Sequence, residues 1–372
     1  EAHYREALAR APDFAPALSN LADLLTDKGD TAEALVLYDR ALAAEPHNPQ
    51  VQLNRAVLHL LNGNLADGWN DYAARLDVPN KVPVACHGLP RWNGLTRGRL
   101  LVTAEQGVGD QIMFASMIPD LAPRCGGPLI LECEPRLAPL FARSFPDVQV
   151  HGWDIEASAG VTRTRHGWLK AQGGADTAIE LGSLAGLMRN SLDAFPAHDA
   201  YLKPDPIQLA YWSGVMEDAG DGPFIGLCWR SGNMAGHRAL QYAPIEVWAQ
   251  FARSLPGTLV SVQYDVREDE IAALAHMSGR KIVVPPALDQ KNELDRTAGL
   301  LASLDAVVTA PTAVSWLAAA VGTDTYKIVY DTAWTSFGQS HEPFAPSCSV
   351  MMPATRGDWA DAFNQTLSRI GR

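Results

Sequence analysis

The stretch AEQGVGDQIMF, residues 104–114, places two glycines and an acid directly after the apolar run LLV. Gly107 and Gly109 would let the backbone approach a ligand closely, and the helix predicted after them offers unpaired N–H groups at its start. Gln106 lies in the same loop. Asp110 has two interpretations: it is the N-cap of this helix, or a general base that takes a proton from an acceptor hydroxyl.

A second stretch, WRSGNMAGHRAL at residues 229–240, concentrates hydrogen-bond donors after a predicted strand. Arg230 and Arg238 could hold a diphosphate bidentately and neutralise the charge on a departing group. Ser231, Gly232 and Asn233 supply a hydroxyl, a flexible backbone and an amide beside them. The alternative is a solvated loop with ordinary surface arginines.

The third stretch, VVTAPTAVSWLAAAVG, carries three hydroxyl residues at a predicted strand-to-helix junction. Thr309, Thr312 and Ser315, together with free N–H groups at a helix start, would make a neutral phosphate site that Trp316 adjoins. A capped, buried helix also explains Thr312. Because ligands of open α/β sheets bind beyond the carboxyl ends of the strands, we expect all three stretches to line one cleft.

Alternating apolar runs and helical patterns after residue 98 predict two doubly wound, Rossmann-like α/β halves that face this cleft. The weak pattern at 153–175 predicts loop and irregular strand, and AIELGSLAGLMRNS predicts a helix. GDWADAFNQTLSRI predicts a last helix that crosses back to the first half. The predicted boundaries are repeats at 1–78, a Pro/Gly-rich linker at 79–98, halves at 99–205 and 206–355, and the last helix at 356–372.

The first 78 residues repeat with a period of 34, as Tyr4, Tyr38 and Tyr72 show. This period and the small residues at regular positions resemble the tetratricopeptide repeat (TPR), a pair of antiparallel helices. Gly68 and Arg75 replace alanines of the pattern, which indicates a repeat that docks on another domain. The chain begins part-way through a repeat, so we expect further repeats upstream. The repeats serve as a helical spacer or as a groove for a peptide.

Composition narrows the class of protein. A net charge of −12 argues against a nucleic-acid-binding surface, without excluding a local basic pocket for an anion. The five scattered cysteines include no C-x-x-C pair, which predicts a reducing, cytoplasmic compartment and no zinc site. No uncharged run is long enough to span a bilayer.

Taken together, the repeat, EQGVGDQI, WRSGN and TAPTAVSWLAAAVG resemble bacterial TPR glycosyltransferases. Their catalytic region has the GT-B fold and is similar to the heptosyltransferases of glycosyltransferase family 9; the layout is also similar to O-GlcNAc transferases and flagellin glycosyltransferases. The resemblance covers essentially the whole chain. It implies TPR helices followed by two Rossmann-like domains, an inverting reaction and no metal cofactor, in line with the absence of a D-x-D triplet.

The resemblance also implies roles for single residues. Asp110 matches the proposed catalytic base of the heptosyltransferases, and Ser231, Gly232 and Asn233, with Arg238 less clearly, match their donor-phosphate loop. The pattern Asp-Thr-x-x-x-His of that family reads Pro311, Thr312 and Trp316 here, so only the Thr remains. The donor therefore differs, for example a CMP-linked nonulosonic acid in place of a UDP-, GDP- or ADP-sugar, or catalysis has been lost.

Two functions follow as expectations. The first is transfer of a sugar from a nucleotide-sugar to a protein acceptor held by the repeats, with flagellin as the first acceptor to test. The second is a TPR scaffold whose transferase body is inactive. A nucleotide-binding oxidoreductase is a third reading, disfavoured because the glycine fingerprint lacks its third glycine and the acid that would bind ribose is ambiguous between Glu132 and Glu134.

Overall fold

A computed structural model describes residues 1–158, 160–196, 200–234 and 236–370, with the backbone alone at 236–238. The chain separates into two compact units. The repeat unit contains Glu1–His87, Ile155–His166 and Ser183–Phe195, and the sheet unit contains the rest of the chain from Gly88 onward. Two segments of the predicted first half, 99–205, thus belong to the repeat unit. No helix among the described residues is long and apolar enough to cross a membrane.

The repeat unit begins with helices in pairs, as the period of 34 residues predicts. They are α1 (Ala2–Arg10), α2 (Ala15–Lys28), α3 (Thr31–Ala44), α4 (Pro49–Leu61) and α5 (Leu65–Tyr72). Gly29 ends α2 in the left-handed conformation, at φ 86°, which turns the chain into α3. Ala22 and Ala34 are fully buried in the core of this pair, because a larger side chain would keep the helices apart.

The third, degenerate repeat holds a later segment of the chain. Arg75 is buried and donates to Ser183 Oγ at 2.8 Å, and the indole of Trp69 donates to the Arg189 carbonyl at 2.9 Å. These contacts fix helix α10 (Leu184–Met188) against α5 within the repeat unit, so docking of this repeat on another domain stays a prediction. Gly68 has a different role: a Cβ there would lie 2.6 Å from the Leu60 side chain, so it allows α4 and α5 to pack closely.

A small sheet completes this part of the fold. Its strands, in the spatial order β1-β6-β5, are β1 (Val84–Ala85), β5 (Asp154–Ser158) and β6 (Val161–Arg165). Residues 153–175, predicted as loop and irregular strand, thus contain the strands β5 and β6 and a short helix over Gly167–Ala171. These strands carry many charged and small residues, so no apolar alternation marks them in the sequence.

The first half of the sheet unit is a four-stranded parallel sheet in the order β4-β3-β2-β7. Its strands are β2 (Leu100–Thr103), β3 (Leu129–Cys133), β4 (Val148–Gly152) and β7 (Thr177–Glu180), and its helices are α6 (Val108–Ala115), α7 (Ile118–Cys125), α8 (Ala138–Ser144) and α9 (Gly167–Ala171). The predicted helix AIELGSLAGLMRNS, residues 178–191, is wrong over its first three residues, which belong to β7 and pair with β2.

The second half of the sheet unit contains a seven-stranded sheet in the order β10-β9-β8-β11-β12-β14-β13, parallel except for β13. Its strands are β8 (Phe224–Cys228), β9 (Thr258–Ser261), β10 (Ile282–Val283), β11 (Ala306–Thr309), β12 (Asp324–Ile328), β13 (His341–Glu342) and β14 (Ala345–Met351). Its helices are α11 (Pro206–Ala219), α12 (Ile245–Ser254), α13 (Glu268–Ser278), α14 (Leu294–Ala302), α15 (Ala313–Ala320) and α16 (Trp359–Ile370).

The last helix, α16, does not cross back as predicted. Its Phe363 packs against Trp248 and Phe251 of α12, with ring centroids 4.9 Å and 4.6 Å away. The apolar face of α16 is thus buried in the core of the second half, and the prediction is corrected on this point. The predicted order, helical repeats followed by two α/β sheets, is confirmed.

Candidate functional site

The loop between β2 and α6 carries the first group of candidate residues. Gly107 is the N-cap of α6, so Asp110 stands at the third helical position and its interpretation as the N-cap is wrong. The half-buried Asp110 carboxylate folds back toward the helix start, since a Cβ on Gly107 would lie 3.5 Å from its Oδ2. An acid in the first turn also interacts favourably with the helix dipole.

Two buried side chains that the sequence did not single out hold this loop in place. The Gln111 amide donates to the Gln106 carbonyl and accepts from the Glu134 N–H, each at 2.8 Å. Glu105 accepts from the Gly182 N–H at 3.2 Å and from the Gln106 side chain at 2.8 Å. The loop is therefore tied both to the end of β3 and to the residues after β7.

Gly109 brings the first and third candidate stretches together. A Cβ on Gly109 would lie 3.4 Å from the Ala313 Cα and 3.4 Å from Cδ1 of Trp316. Helices α6 and α15 thus meet at their first turns, which places the residues flanking Asp110 and Thr312 side by side. The two turns are neighbours as expected, but at Gly109 they are in direct contact and no cleft separates them there.

The hydroxyls of the third stretch organise the turn before α15. Thr312 is the N-cap of α15 and accepts from the Val314 N–H at 3.3 Å. Thr309 donates to the Ala310 carbonyl and Ser315 donates to the Thr312 carbonyl, each at 2.7 Å. Since Thr309 and Ser315 are fully buried, their contribution in this structure is to shape the turn, and Thr312 lies nearest to solvent.

Cys228 links the second stretch to this turn. Its Sγ lies 3.6 Å from Thr312 Oγ1 at the end of β8, directly before Trp229. Burial raises the pKa of the Cys228 thiol to about 11, although hydrogen bonds with Thr312 and Thr309 act in the opposite direction. The residue is therefore a neutral thiol near neutral pH and serves packing rather than nucleophilic chemistry. The end of β8, from which the second stretch continues, thus lies beside the Thr312 turn.

Gln263, at the end of β9, shapes the start of the second loop. It is fully buried, and its carbonyl oxygen accepts from the N–H groups of Trp229 (2.9 Å) and Arg230 (3.0 Å). Its amide group donates to the carbonyls of Arg230 (2.9 Å) and Tyr264 (2.7 Å). The Gln263 side chain thus fixes the backbone just after two neighbouring strands, β8 and β9. No sequence motif marked it.

Arg230 forms an ion pair instead of pointing freely at the cleft. Its Nε lies 2.5 Å and its Nη2 2.6 Å from the two carboxylate oxygens of Glu270 on α13. Burial acts to raise the pKa of Glu270, but hydrogen bonds from Arg230 and the Arg267 backbone outweigh it, and the pKa is lowered overall. In this arrangement Arg230 anchors the loop to α13.

The Arg230–Glu270 pair gives a pH-dependent prediction. A lowered pKa in the folded state means that the stabilisation is complete above the unfolded value of 4.5 and is lost as the pH falls through the folded value. We expect Glu270→Gln to destabilise the protein by about 2 kcal/mol near neutral pH, and the difference from wild type to shrink in acid. Chemical denaturation across this pH range measures it, with exposed Glu268→Gln, from the same helix turn, as control. A pH-independent difference would contradict the pairing.

The rest of the second loop is partly exposed. The Tyr264 hydroxyl donates to Ser231 Oγ and accepts from the Gly232 N–H, both at 3.2 Å. Asn233 is exposed and its N–H donates to Ser231 Oγ at 3.2 Å. Asp265, in the left-handed conformation at φ 50°, pairs with Lys291 at 2.9 Å beside Gly232. The side chain of Arg238 lies outside the described residues.

Side chains of the first half also contact the second half close to this loop. Arg136, which follows β3, donates to the Lys291 carbonyl at 2.7 Å, and Arg143 pairs with Asp295 on α14. Lys291 is the residue that pairs with Asp265 beside Gly232. The three candidate loops therefore share one region between two α/β halves.

Comparison with known proteins agrees with this architecture. The tetratricopeptide repeat model matches residues 25–68. Protein FlbA of Caulobacter vibrioides is 34% identical over 99% of this chain, which spans 63% of the length of FlbA. Two solved structures each cover 73% of the chain with a TM-score of 0.51: E. coli ADP-heptose LPS heptosyltransferase II (14% identity, 97% of its length) and a glycosyl transferase family 9 protein of Veillonella parvula (13%, 92%). The chain joins tetratricopeptide repeats to a heptosyltransferase-like fold.

Trp316 is the residue for which the resemblance noted in the sequence implies a His. The indole is only 7% exposed and lies between Gly109 on one side and the Lys327 ammonium on the other. Pro311 is partly exposed and precedes the N-cap. The first turn of α15 thus keeps the capping Thr312 and replaces an ionisable ring with a large aromatic one.

Proposed function

We propose that the chain is an inverting, metal-independent glycosyltransferase that uses a nucleotide-sugar donor. The observation that carries the proposal is the contact at Gly109, which places the Asp110 turn beside the capped start of α15. Both turns follow strand ends, where ligands of α/β sheets bind. The shared fold with a heptosyltransferase supports the same reaction class.

The proposed reaction uses Asp110 as the base. Asp110 accepts the proton of the acceptor hydroxyl while that oxygen attacks the anomeric carbon of the sugar. The bond from this carbon to the phosphate oxygen breaks, the nucleotide leaves with the electron pair, and the anomeric configuration inverts. The phosphate would lie at the start of α15 and along Ser231–Asn233, where N–H groups and the helix dipole stabilise its charge. Arg238 would add a cation to the leaving group.

The repeats are proposed to present the acceptor, a protein for which flagellin is the first candidate. TPR helices stack into surfaces that hold extended or helical peptides. The described repeat unit has a packed core of its own around Leu18, Leu21 and Tyr38, which such a platform requires. A cytoplasmic location stays a prediction.

A TPR scaffold with an inactive transferase body is the second candidate. Three observations favour it: Thr309 and Ser315 bond within their own turn, Arg230 is paired with Glu270, and Trp316 fills space beside Gly109. Each leaves fewer groups in this structure to hold a donor. The two candidates differ in one measurable property, which is nucleotide binding.

A ligand panel separates the two functions. A nucleotide present at a hundredfold excess over its Kd stabilises the protein by about 2.7 kcal/mol, so we expect the melting temperature to rise with one of UDP, GDP, ADP or CMP. The corresponding nucleosides serve as controls for phosphate recognition. No shift with any nucleotide would favour the scaffold. Intact-mass spectrometry of a co-expressed acceptor, with and without the protein, then tests transfer, and added chelator tests the metal independence.

A further inference from the structure

A buried ion pair lies behind the candidate site and has no part in the proposed chemistry. Lys327 on β12 and Glu342 on β13 are 4% and 0% exposed, with Nζ and Oε1 2.5 Å apart. The Thr335 hydroxyl donates to the same oxygen at 2.9 Å. The other oxygen of Glu342 is buried without a hydrogen-bond partner among the described residues.

Stability does not explain this pair well. Removing two charges from water is costly, and apolar residues of similar volume often serve a core equally well or better. The incompletely satisfied Glu342 carboxylate adds to that cost. A role in fixing a neighbouring group is the better explanation.

That neighbour is Trp316. The Lys327 ammonium lies 4.1 Å from the centroid of the Trp316 ring, and cation–π attraction is strongest when the cation is removed from water. Cδ1 of the same indole faces Gly109, 3.4 Å from the position of a Cβ there. Lys327 thus contacts one face of the ring, and α6 packs against its pyrrole edge at Gly109. The indole N–H lies on this edge, because Nε1 is bonded to Cδ1.

The segment that carries Glu342 also braces α6. Phe344, two residues further on, packs edge-to-face against Phe114 of α6, with centroids 5.4 Å apart, and lies 5.9 Å from Phe337. One segment therefore supports both helices whose first turns form the candidate site.

We propose that Lys327 is a positioning residue: held by Glu342, it fixes the Trp316 ring against Gly109 of α6, and so holds the start of α15 in place beside Asp110. The start of α15 is a part of the donor site that rests on the proposed function.

Fluorine NMR tests the positioning directly. The chain has ten tryptophans, so 5-fluorotryptophan labelling gives a small set of resonances, and Trp316→Phe assigns the one of interest. The double variant Lys327→Met with Glu342→Gln removes both charges together and leaves none unpaired. We expect the Trp316 resonance to shift or broaden in this variant. The control is Lys28→Met, which removes an exposed lysine paired with Glu1.

An unchanged Trp316 resonance in the double variant would overturn the positioning role. If the double variant fails to fold, Glu342→Asp keeps both charges and shortens the carboxylate side chain by one methylene. We then expect a smaller shift of the Trp316 resonance. The absence of any shift would overturn the proposal. In Lys327→Arg, which keeps the cation, the Trp316 resonance should lie closer to its wild-type chemical shift than in the double variant.

Steady-state kinetics test the link to the donor. We expect the double variant to raise the KM for the nucleotide-sugar about tenfold while kcat changes much less, because the start of α15, where the phosphate would lie, is loosened and the Asp110 side chain is unchanged. An equal rise in this KM in the double variant, in Lys327→Arg and in the control Lys28→Met would contradict the link to the donor. Failure of the wild type to bind any nucleotide would overturn the proposed function and the donor-site part together, whereas the fluorine spectra would still decide whether Lys327 fixes the ring.

Discussion

Asp110→Asn is expected to lower the rate of glycosyl transfer by a factor of about 10²–10⁴, the usual contribution of a general base. The amide has nearly the same size as the carboxylate but cannot accept the proton of the acceptor hydroxyl at neutral pH. The half-buried side chain folds over the first turn of α6, so the substitution fits without displacing its neighbours. The measurement is the rate of mass gain of the acceptor at saturating donor.

A matched control separates the lost base from the lost charge. Asp120 also stands in the first turn of a helix, α7, and belongs to none of the three candidate stretches. Asp110→Asn and Asp120→Asn should each cost about 0.3–1 kcal/mol of favourable interaction with the helix dipole, and only the former should lose activity. Nucleotide binding should survive in both. Near-wild-type transfer by Asp110→Asn would remove this residue from the mechanism.

Local sequence patterns predicted most of the fold because they report burial. The 34-residue period and the apolar runs at β2, β3, β8 and β11 each reflect one segment and its face, and these elements are confirmed. Sequence patterns did not predict the strand at Thr177–Glu180. Four residues beside an apolar helical stretch carry no distinct period, and pairing with β2, far away in sequence, decides that they form a strand.

The same distinction applies to the candidate site. The rule that ligands bind at strand ends was enough to choose three loops. The structure places the first loop against the start of α15 and the end of β8 beside Thr312. The partners of the chosen side chains could not be predicted, because they come from other elements: Glu270 is 40 residues from Arg230, and Gln263 lies 34 residues from Trp229. Whether an arginine faces a ligand or a carboxylate is a property of the packed fold, and composition does not report it.

Of the residues that the sequence did not single out, Gln263 is expected to have the largest effect on stability. Gln263→Leu keeps a similar volume but removes four hydrogen bonds to backbone groups of Trp229, Arg230 and Tyr264. Each buried group left unsatisfied costs about 1–3 kcal/mol, and because the groups relax together we expect a total near 3 kcal/mol. Chemical denaturation of the variant and of wild type measures this loss.

Hydrogen exchange places the effect within the fold. The amides of Trp229 and Arg230 donate to Gln263, so they should exchange faster in Gln263→Leu than in wild type, and binding of a nucleotide along Ser231–Asn233 should weaken with them. Gln250→Leu makes the same chemical change at an exposed position on α12 and should alter stability by less than about 0.5 kcal/mol. Equal stability losses in the two variants, or unchanged exchange at residues 229 and 230, would mean that the ends of β8 and β9 are set by the strands themselves. Faster exchange confined to Trp229, Arg230 and the residues that follow them would show that the Gln263 side chain sets the geometry of this loop.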